Sequence, residues 1–321
     1  MVRICALGAA SQDVFLSGDE ITSKQDPSTG ALVETFPLGA KIDIEKVVFN
    51  TGGGATNAAV TFSRQGIEAS FIGKIGHDAA GSAVIAELDK DHVDASMVVY
   101  DPQHGTQYST ILLATTGERS ILIYRGAAHT HRASDYENID FSHFDWLYVS
   151  SFAGAMDALH TIFAKAKQQG VKIAFNPGQG ELESIDQLRP LLDDIDILLV
   201  NKDEAQLIVE GVTSEELVRH ASNLVPVVVV SDGPNGVTAT DKQTIISAGM
   251  YEDVPVIDRT GAGDAFGSGF LSQFSQGKSL KESIIFASAN STSVVGQIGA
   301  KAGILHHGTP LHDMPIVEKP F

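Results

Sequence analysis

Nine residues late in the chain, DRTGAGDAF at 258–266, strip away side chains just ahead of a carboxylate. Gly261, Ala262 and Gly263 leave backbone N–H groups bare before Asp264, and the following AFGSGFLSQF has helical spacing. The apolar run VPVI at 254–257 precedes it, so the stretch reads as a turn from a strand into a helix. The first free amides of a helix point outward and make an anion site. A tight turn whose aspartate only complements the helix dipole fits the same nine residues.

Three other stretches carry candidate chemistry. FNTGGGATNAAVTFSRQG (49–66) sets Gly52, Gly53 and Gly54 before a helix with Asn57 near its start. Glycines let a ligand touch backbone, and the Asn57 amide both donates to and accepts from hydroxyls; a flexible hinge is the plain alternative. Asp13, just after the first strand, can accept hydrogen bonds from a polyol or be a solvated turn residue. In VNKDEAQLI (200–208), Asn201 and Glu204 share one helix face. That oxygen-rich pair suits magnesium, directly or through its waters, and equally suits an N-terminal cap. VVVVSDGPNGVTAT (227–240) turns through Asp232 to Gly236, either against nucleotide phosphates or simply as a turn.

Several chemistries drop out. GKS at 277–279 resembles the end of a P-loop, but Ser272 stands where that motif needs glycine and a helix is expected where it needs a strand. No G-x-S-x-G or H-E-x-x-H occurs, and DRTGAGDAF lacks the alternating oxygen ligands of a calcium loop. His129 with His131 and His306 with His307 have no carboxylates at ligand spacing and read as loop residues.

The elements that must position these motifs alternate. Strand runs fall at 2–7, 70–73, 146–151, 171–175, 196–200 and 225–230, with helical patterns at 54–65, 79–90, 154–168, 202–209 and 213–223. The last helix opens with the capping-box spacing Thr213 to Glu216. Continuous apolar strands alternating with helices indicate an α/β, doubly wound, mostly parallel sheet covered on both faces, with ligands at the strands' carboxyl ends. Residues 14–50 and 106–124 break the rhythm: both are β-rich, the second with two strand runs joined at TTGE, and they are expected to form a small lid. One domain over 1–305 follows, with 306–321, punctuated by prolines, as a surface tail.

Charge narrows the partners. With 22 Lys and Arg against 40 Asp and Glu, the net charge of −18 disfavours nucleic acid and anionic membrane surfaces. A polyanionic ligand must therefore be held by local amides, a metal ion or a few placed cations. The single cysteine, Cys5, excludes an intrachain disulfide and a cysteine zinc site, which fits a reducing cytoplasm. No run reaches the length of a membrane span, and the first residues do not read as a signal peptide.

GGGATN early, NKDE in the middle and DRTGAGD late, in that order across roughly residues 3–305, closely resemble the phosphofructokinase-B (PfkB, ribokinase-like) family of sugar and nucleoside kinases. The resemblance implies an ATP- and Mg²⁺-dependent kinase acting on the primary hydroxyl of a small sugar, with a nucleoside such as adenosine as the alternative acceptor. It implies Asp264 as the catalytic base and the amides of Gly261, Ala262 and Gly263 as the anion hole. Asp13, Gly52, Gly53 and Asn57 match sugar contacts, and Asn201 and Glu204 match the N-x-x-E motif for magnesium and phosphate. Ser231, Gly233 and Gly236 match the nucleotide loop, and Asn290 an adenine-pocket position. Asp258 and Thr260 align with a potassium-binding loop of many members, with Gly299 and Gly303 as further contributors. Relatives' lids often pair into dimers through β-edges.

The chain also departs from the family pattern. Ser151 stands where ribokinases end a strand in a sugar-binding glutamate, which weakens the case for strict ribose specificity. GAAHTH (126–131) and FNPGQ (175–179) resemble archaeal-type nucleoside kinases. Tyr124 and Arg125 can reach over a ligand, the arginine toward a carboxylate, or be ordinary strand-end residues. A sensor that kept the fold without catalysis is a third class of answer, and an intact Asp264 argues against it.

Overall fold

The computed structural model of the protein describes every residue except 115–117, 250, 252 and 253. Among the described residues nine strands form the main sheet, and the six expected from the apolar runs are its parallel part. From one edge these are Glu68–Ile72, Arg3–Leu7, Trp146–Val149, Lys172–Phe175, Ile197–Asn201 and Val227–Ser231. Val237–Thr240, Thr244–Ala248 and Ile316–Pro320 continue it antiparallel.

Both faces are covered, which is why the strands read as unbroken apolar runs. In Arg3–Leu7, Ile4 and Ala6 enter one core while Cys5 and Leu7 enter the other. The first core is closed by helices Gly54–Arg64, Ala79–Lys90, Ala262–Phe274 and Leu280–Val295, the second by Met156–Gln168, Lys202–Ile208 and Ser214–Ala221. The first layer is rich in small residues and packs closely: a Cβ added at Gly269 would sit 3.2 Å from the Ala287 Cα. Thr213 and Glu216 form the expected capping box, and Ser279 of the dismissed GKS does the same with Glu282, each cap worth about 1 kcal/mol.

The two β-rich segments share one lid sheet, in the order Arg119–Tyr124, Gln107–Leu113, Ser11–Ser17, Lys46–Gly52. The lid starts at Ser11, three residues before the expected boundary, which puts Asp13 on a lid strand. Of the expected TTGE connection, Thr115–Gly117 lie outside the described residues.

Two expectations fail. VPVI at 254–257 is a loop: Val256 and Ile257 are more than half exposed, and the amides of Ile257 and Asp258 both donate to the Val295 carbonyl at the end of a helix. Val256 lines a cleft, so apolarity here goes with a cavity wall and not with sheet pairing. The tail is also no loose tail, because Ile316–Pro320 pairs antiparallel with Thr244–Ala248 and closes the sheet edge. It is held by Lys319 on Glu215 at 2.5 Å and by Arg219 over the Phe321 ring, contacts made far along the chain and silent in the local pattern.

Candidate active site

Asp264 sits in the first turn of Ala262–Phe274. Its Oδ2 accepts from Asn57 Nδ2 at 2.8 Å, a charge-assisted bond worth about 1.5–3 kcal/mol that joins the DRTGAGD helix to the GGGATN helix. The other oxygen, Oδ1, faces the third glycine of that loop, since a Cβ at Gly54 would lie 3.1 Å from it. Burial raises the Asp264 carboxyl above its ordinary range, Asn57 and Lys301 pull it back, and Asp13 pushes it up. A desolvated carboxylate with one oxygen held and one turned to the cleft is arranged to accept a proton.

The glycines before it serve different needs. Gly261 has φ +79°, and a Cβ there would lie 2.3 Å from the Ala300 Cβ, so the turn itself requires glycine. A Cβ at Gly263 would meet nothing within 4 Å. That open space borders two cavities. Gly53, at φ +96°, caps its helix with Ala9 O too close for any side chain, and a Cβ at Gly52 would strike the Asp13 carboxylate at 2.0 Å.

Asp13 is buried beside Gly52 and accepts from Ser11 Oγ at 3.0 Å. Burial raises its carboxyl, while hydrogen bonds from Ser109 and Ser11 and the charge of Lys301 lower it. Asn57 Oδ1 is buried without a partner. A buried acceptor with no partner, on the side chain that holds Asp264, suits a donor from a hydroxyl-bearing ligand.

Lys301, which sequence reasoning passed over, lies behind this group. Its ammonium donates to Thr51 O (2.8 Å), Thr51 Oγ1 (3.0 Å) and Thr56 Oγ1 (2.9 Å), and burial lowers its pKa to about 8 against the pull of Asp13 and Asp264. The one signal was a lone cation among small residues in GAKAG (299–303).

Two cavities lie beside the 261–264 turn, and Asp264 lines the smaller of them. One, of about 150 Å³, is lined by Asn201, Glu204, Gly263, Asp264 and Asn176 with Pro177. The other, of about 230 Å³ and mostly apolar, is lined by Gly233, Gly236, Val256, Thr292 and Val295 among others. Ser231, Gly263 and Phe266 line both, so they form one trough. The Val256 of the failed strand and the exposed Arg259 belong to its wall.

Asn201 and Glu204 cap their helix reciprocally, at 2.9 and 2.8 Å, as one of the two readings expected, and they also border the smaller cavity. Burial raises the Glu204 carboxyl. Among the described residues no cluster of three or more His, Cys, Asp or Glu could hold a metal ion alone. That donor set fits a magnesium ion brought in on phosphates, which keeps most of its waters.

Three expected roles are not met. Asn290 is fully buried and its amide is used up, Nδ2 donating to Ala265 O and Oδ1 accepting from Leu305 N. Ser288, Ser291 and Thr292 are the residues of that helix that line the apolar cavity. Asp258 Oδ1 takes three donors, Thr260 N (3.0 Å), Thr260 Oγ1 (2.7 Å) and Arg119 Nη1 (2.8 Å), and Oδ2 takes Gly299 N (3.0 Å). A carboxylate already holding a guanidinium does not fit a potassium ion as well. Gly303 is there for packing, since a Cβ would lie 2.3 Å from Ser293 O. Tyr124 and Arg125 are exposed and line neither cavity. Ser151 Oγ is engaged by Glu181 Oε2 (2.9 Å) and Ala153 N (3.1 Å).

A trough that ends at a buried carboxylate in the first turn of a helix joins the motifs of the chain in one place, and residues 30–306 match the pfkB family of carbohydrate kinases. The chain belongs to that family. This pfkB kinase is 26% identical to the ribokinase of Staphylococcus aureus (strain COL) over 316 residues, 94% of this chain and 96% of that one. It is 27% identical to a probable chloroplastic fructokinase-6 of Arabidopsis thaliana over 273 residues, 78% of this chain and 70% of that one. Its fold follows the nucleoside kinase of Methanocaldococcus jannaschii at a TM-score of 0.77 and 20% identity, covering 95% of each chain. Among the described residues of this pfkB kinase no helix is long and apolar enough to cross a membrane.

Proposed function

We propose that the protein transfers the γ-phosphoryl group of MgATP to the primary hydroxyl of a small sugar, as a ribokinase- or fructokinase-like enzyme of the cytoplasm. The observation that carries this reading is the trough shared through Ser231, Gly263 and Phe266, which leads from an apolar cavity to Asp264. The adenine lies in the apolar part, between the Gly233–Gly236 loop and the face of Ser288, Thr292 and Val295. The phosphates pass over Gly263, and the acceptor enters from the lid side against Asp13 and Asn57.

Asp264 Oδ1 takes the hydroxyl proton, the alkoxide oxygen bonds to the γ-phosphorus, and the bond to the bridging oxygen breaks to release ADP. The amides of Gly261 and Gly263 receive the charge that spreads over the transferring oxygens, a contribution typically worth 10²–10³ in rate per donor, whereas the Ala262 amide, expected to be bare, donates to the Arg259 carbonyl at 3.3 Å. Glu204 and Asn201, which border the smaller cavity, would hold a magnesium ion through its waters, and the ion would supply neutralisation of the phosphate charge.

Ser151 supports an acceptor other than ribose, because it brings no carboxylate of its own and the one at that strand end, Glu181, is taken up by the Ser151 hydroxyl and the amides of Phe152, Gly154 and Gly178. The same observation favours a nucleoside as the second reading. The lid's outer strand Arg119–Tyr124 exposes Ile121, Leu122, Ile123 and Tyr124, an unpaired edge suited to a second copy of the chain. ADP release measured over a panel of sugars and nucleosides tests the assignment. Turnover confined to nucleosides replaces the first reading by the second, and ligand binding without turnover on any acceptor replaces both by a sensor.

A further inference from the structure

Asp258 lies two residues before Thr260 and is 6% exposed, yet it is not left as a lone buried charge. Its carboxylate organises the turn into the anion hole: Oδ1 fixes the amide and hydroxyl of Thr260, and Oδ2 fixes the amide of Gly299. The positive charge that balances it comes from the lid, where Arg119, at the start of the strand Arg119–Tyr124, places Nη1 2.8 Å from Oδ1. The arginine side chain is 34% exposed while its partner is almost fully enclosed, so the lid delivers the cation to a site the main domain has already built.

We propose that Arg119 is this kinase's built-in monovalent cation: it occupies the charge position that the DRTGAGD turn otherwise fills with a bound ion, and it makes the enzyme independent of potassium. A potassium ion beside the same Oδ1 would meet a guanidinium within contact distance and an oxygen already holding three donors. The arrangement also ties the lid to the anion hole. Without the guanidinium, an unbalanced carboxylate next to Thr260 and Gly261 repels the incoming phosphoryl group and loosens the turn that presents the amides. Arg119 thus acts as a positioning residue through Asp258 and touches no reacting atom.

The test compares wild type, Arg119→Ala and Arg119→Lys in tetramethylammonium, sodium and potassium chloride at equal ionic strength, reading turnover and the thermal midpoint. Wild type is expected to behave alike in all three salts. Arg119→Ala should lose on the order of tenfold in turnover in tetramethylammonium chloride and regain most of it in potassium chloride. Its midpoint should rise with potassium, while Arg119→Lys keeps the wild-type, salt-independent behaviour. Potassium activation of wild type overturns the proposal, as does a loss in Arg119→Ala that no cation restores. The inference rests on the kinase reading for its turnover arm alone. The midpoint arm needs no acceptor and stands or falls separately.

Discussion

The two ends of the trough manage charge in opposite ways. On the proposed nucleotide side an apolar wall that includes Val256 and Val295 is interrupted by small residues, Gly233, Gly236, Ala262 and Gly263, which would leave room for a polyanion. On the acceptor side it is acidic, with Asp13 close enough to Asp264 to raise its carboxyl, Asn57 holding Asp264, and a buried lysine drawing on both. A chain of net charge −18 can therefore receive a triphosphate without a cationic side chain at every oxygen. In the proposed reaction, amides in a site shielded from water do that work and leave carboxylates free to hold and deprotonate a neutral polyol.

The largest break in this contrast comes from the residue where the two ends meet. Asp264→Asn keeps the hydrogen-bonding shape beside Asn57 but cannot accept the proton, so turnover should fall by about 10²–10⁴ while ADP binding is retained. Calorimetric titration with ADP alongside steady-state rates checks it, and near-normal turnover would remove Asp264 as the base.

The next pair separates two reasons for glycine within one motif. Gly263→Val fills space that nothing in the protein occupies, so it should leave the thermal midpoint nearly unchanged and cut turnover by on the order of 10²–10³. Gly261→Ala forces a β-carbon into a left-handed turn and onto Ala300, at a cost of about 1–3 kcal/mol of stability. Denaturant unfolding of both, with their rates, tells ligand space from backbone need; equal stability losses would erase the distinction.

A smaller effect belongs to the acceptor side alone. Asp13→Ala should raise the acceptor KM by roughly 10- to 100-fold, the loss of a hydrogen bond to a charged group, and leave the KM for ATP unchanged. Matching rises in both constants would mean that Asp13 holds the lid and not the acceptor.

How much of this was legible along the chain follows from how local each device is. The anion-hole turn, the glycine loop and the N-x-x-E cap are each completed within a few residues, so their types and spacing name them. The six parallel strands were equally open, because burial on both faces leaves a continuous apolar run. What stayed hidden depends on distant partners. Val254–Ile257 is as apolar as a strand, and only the Val295 carbonyl shows that it is a wall. Ile316–Pro320 becomes a strand only because Thr244–Ala248 offers an edge. Asn290 sits on the right helix but on the face turned to Ala265 and Leu305. Arg119 and Asp258 are 139 residues apart, and no spacing rule connects them.

Lys301 gives the finest test of the acceptor side, through pH. Its charge stabilises the ionised forms of Asp13 and Asp264, so Lys301→Met should raise the pKa of Asp264 and move the acid limb of kcat/KM to higher pH. The sign on stability is opposite to that of a paired lysine. Folding lowers the Lys301 pKa to about 8 from its ordinary 10.5, so between those values the unfolded chain binds the proton more tightly than the folded one. Stability contributed by this group therefore rises as pH climbs through that window, with a slope set by the difference in bound protons. Urea unfolding of wild type and Lys301→Met across it isolates the term, since the other titrating groups are common to both. The variant should lack the rise, and an acid limb that stays in place would show that Lys301 holds Thr51 and Thr56 together without setting the charge balance around the base.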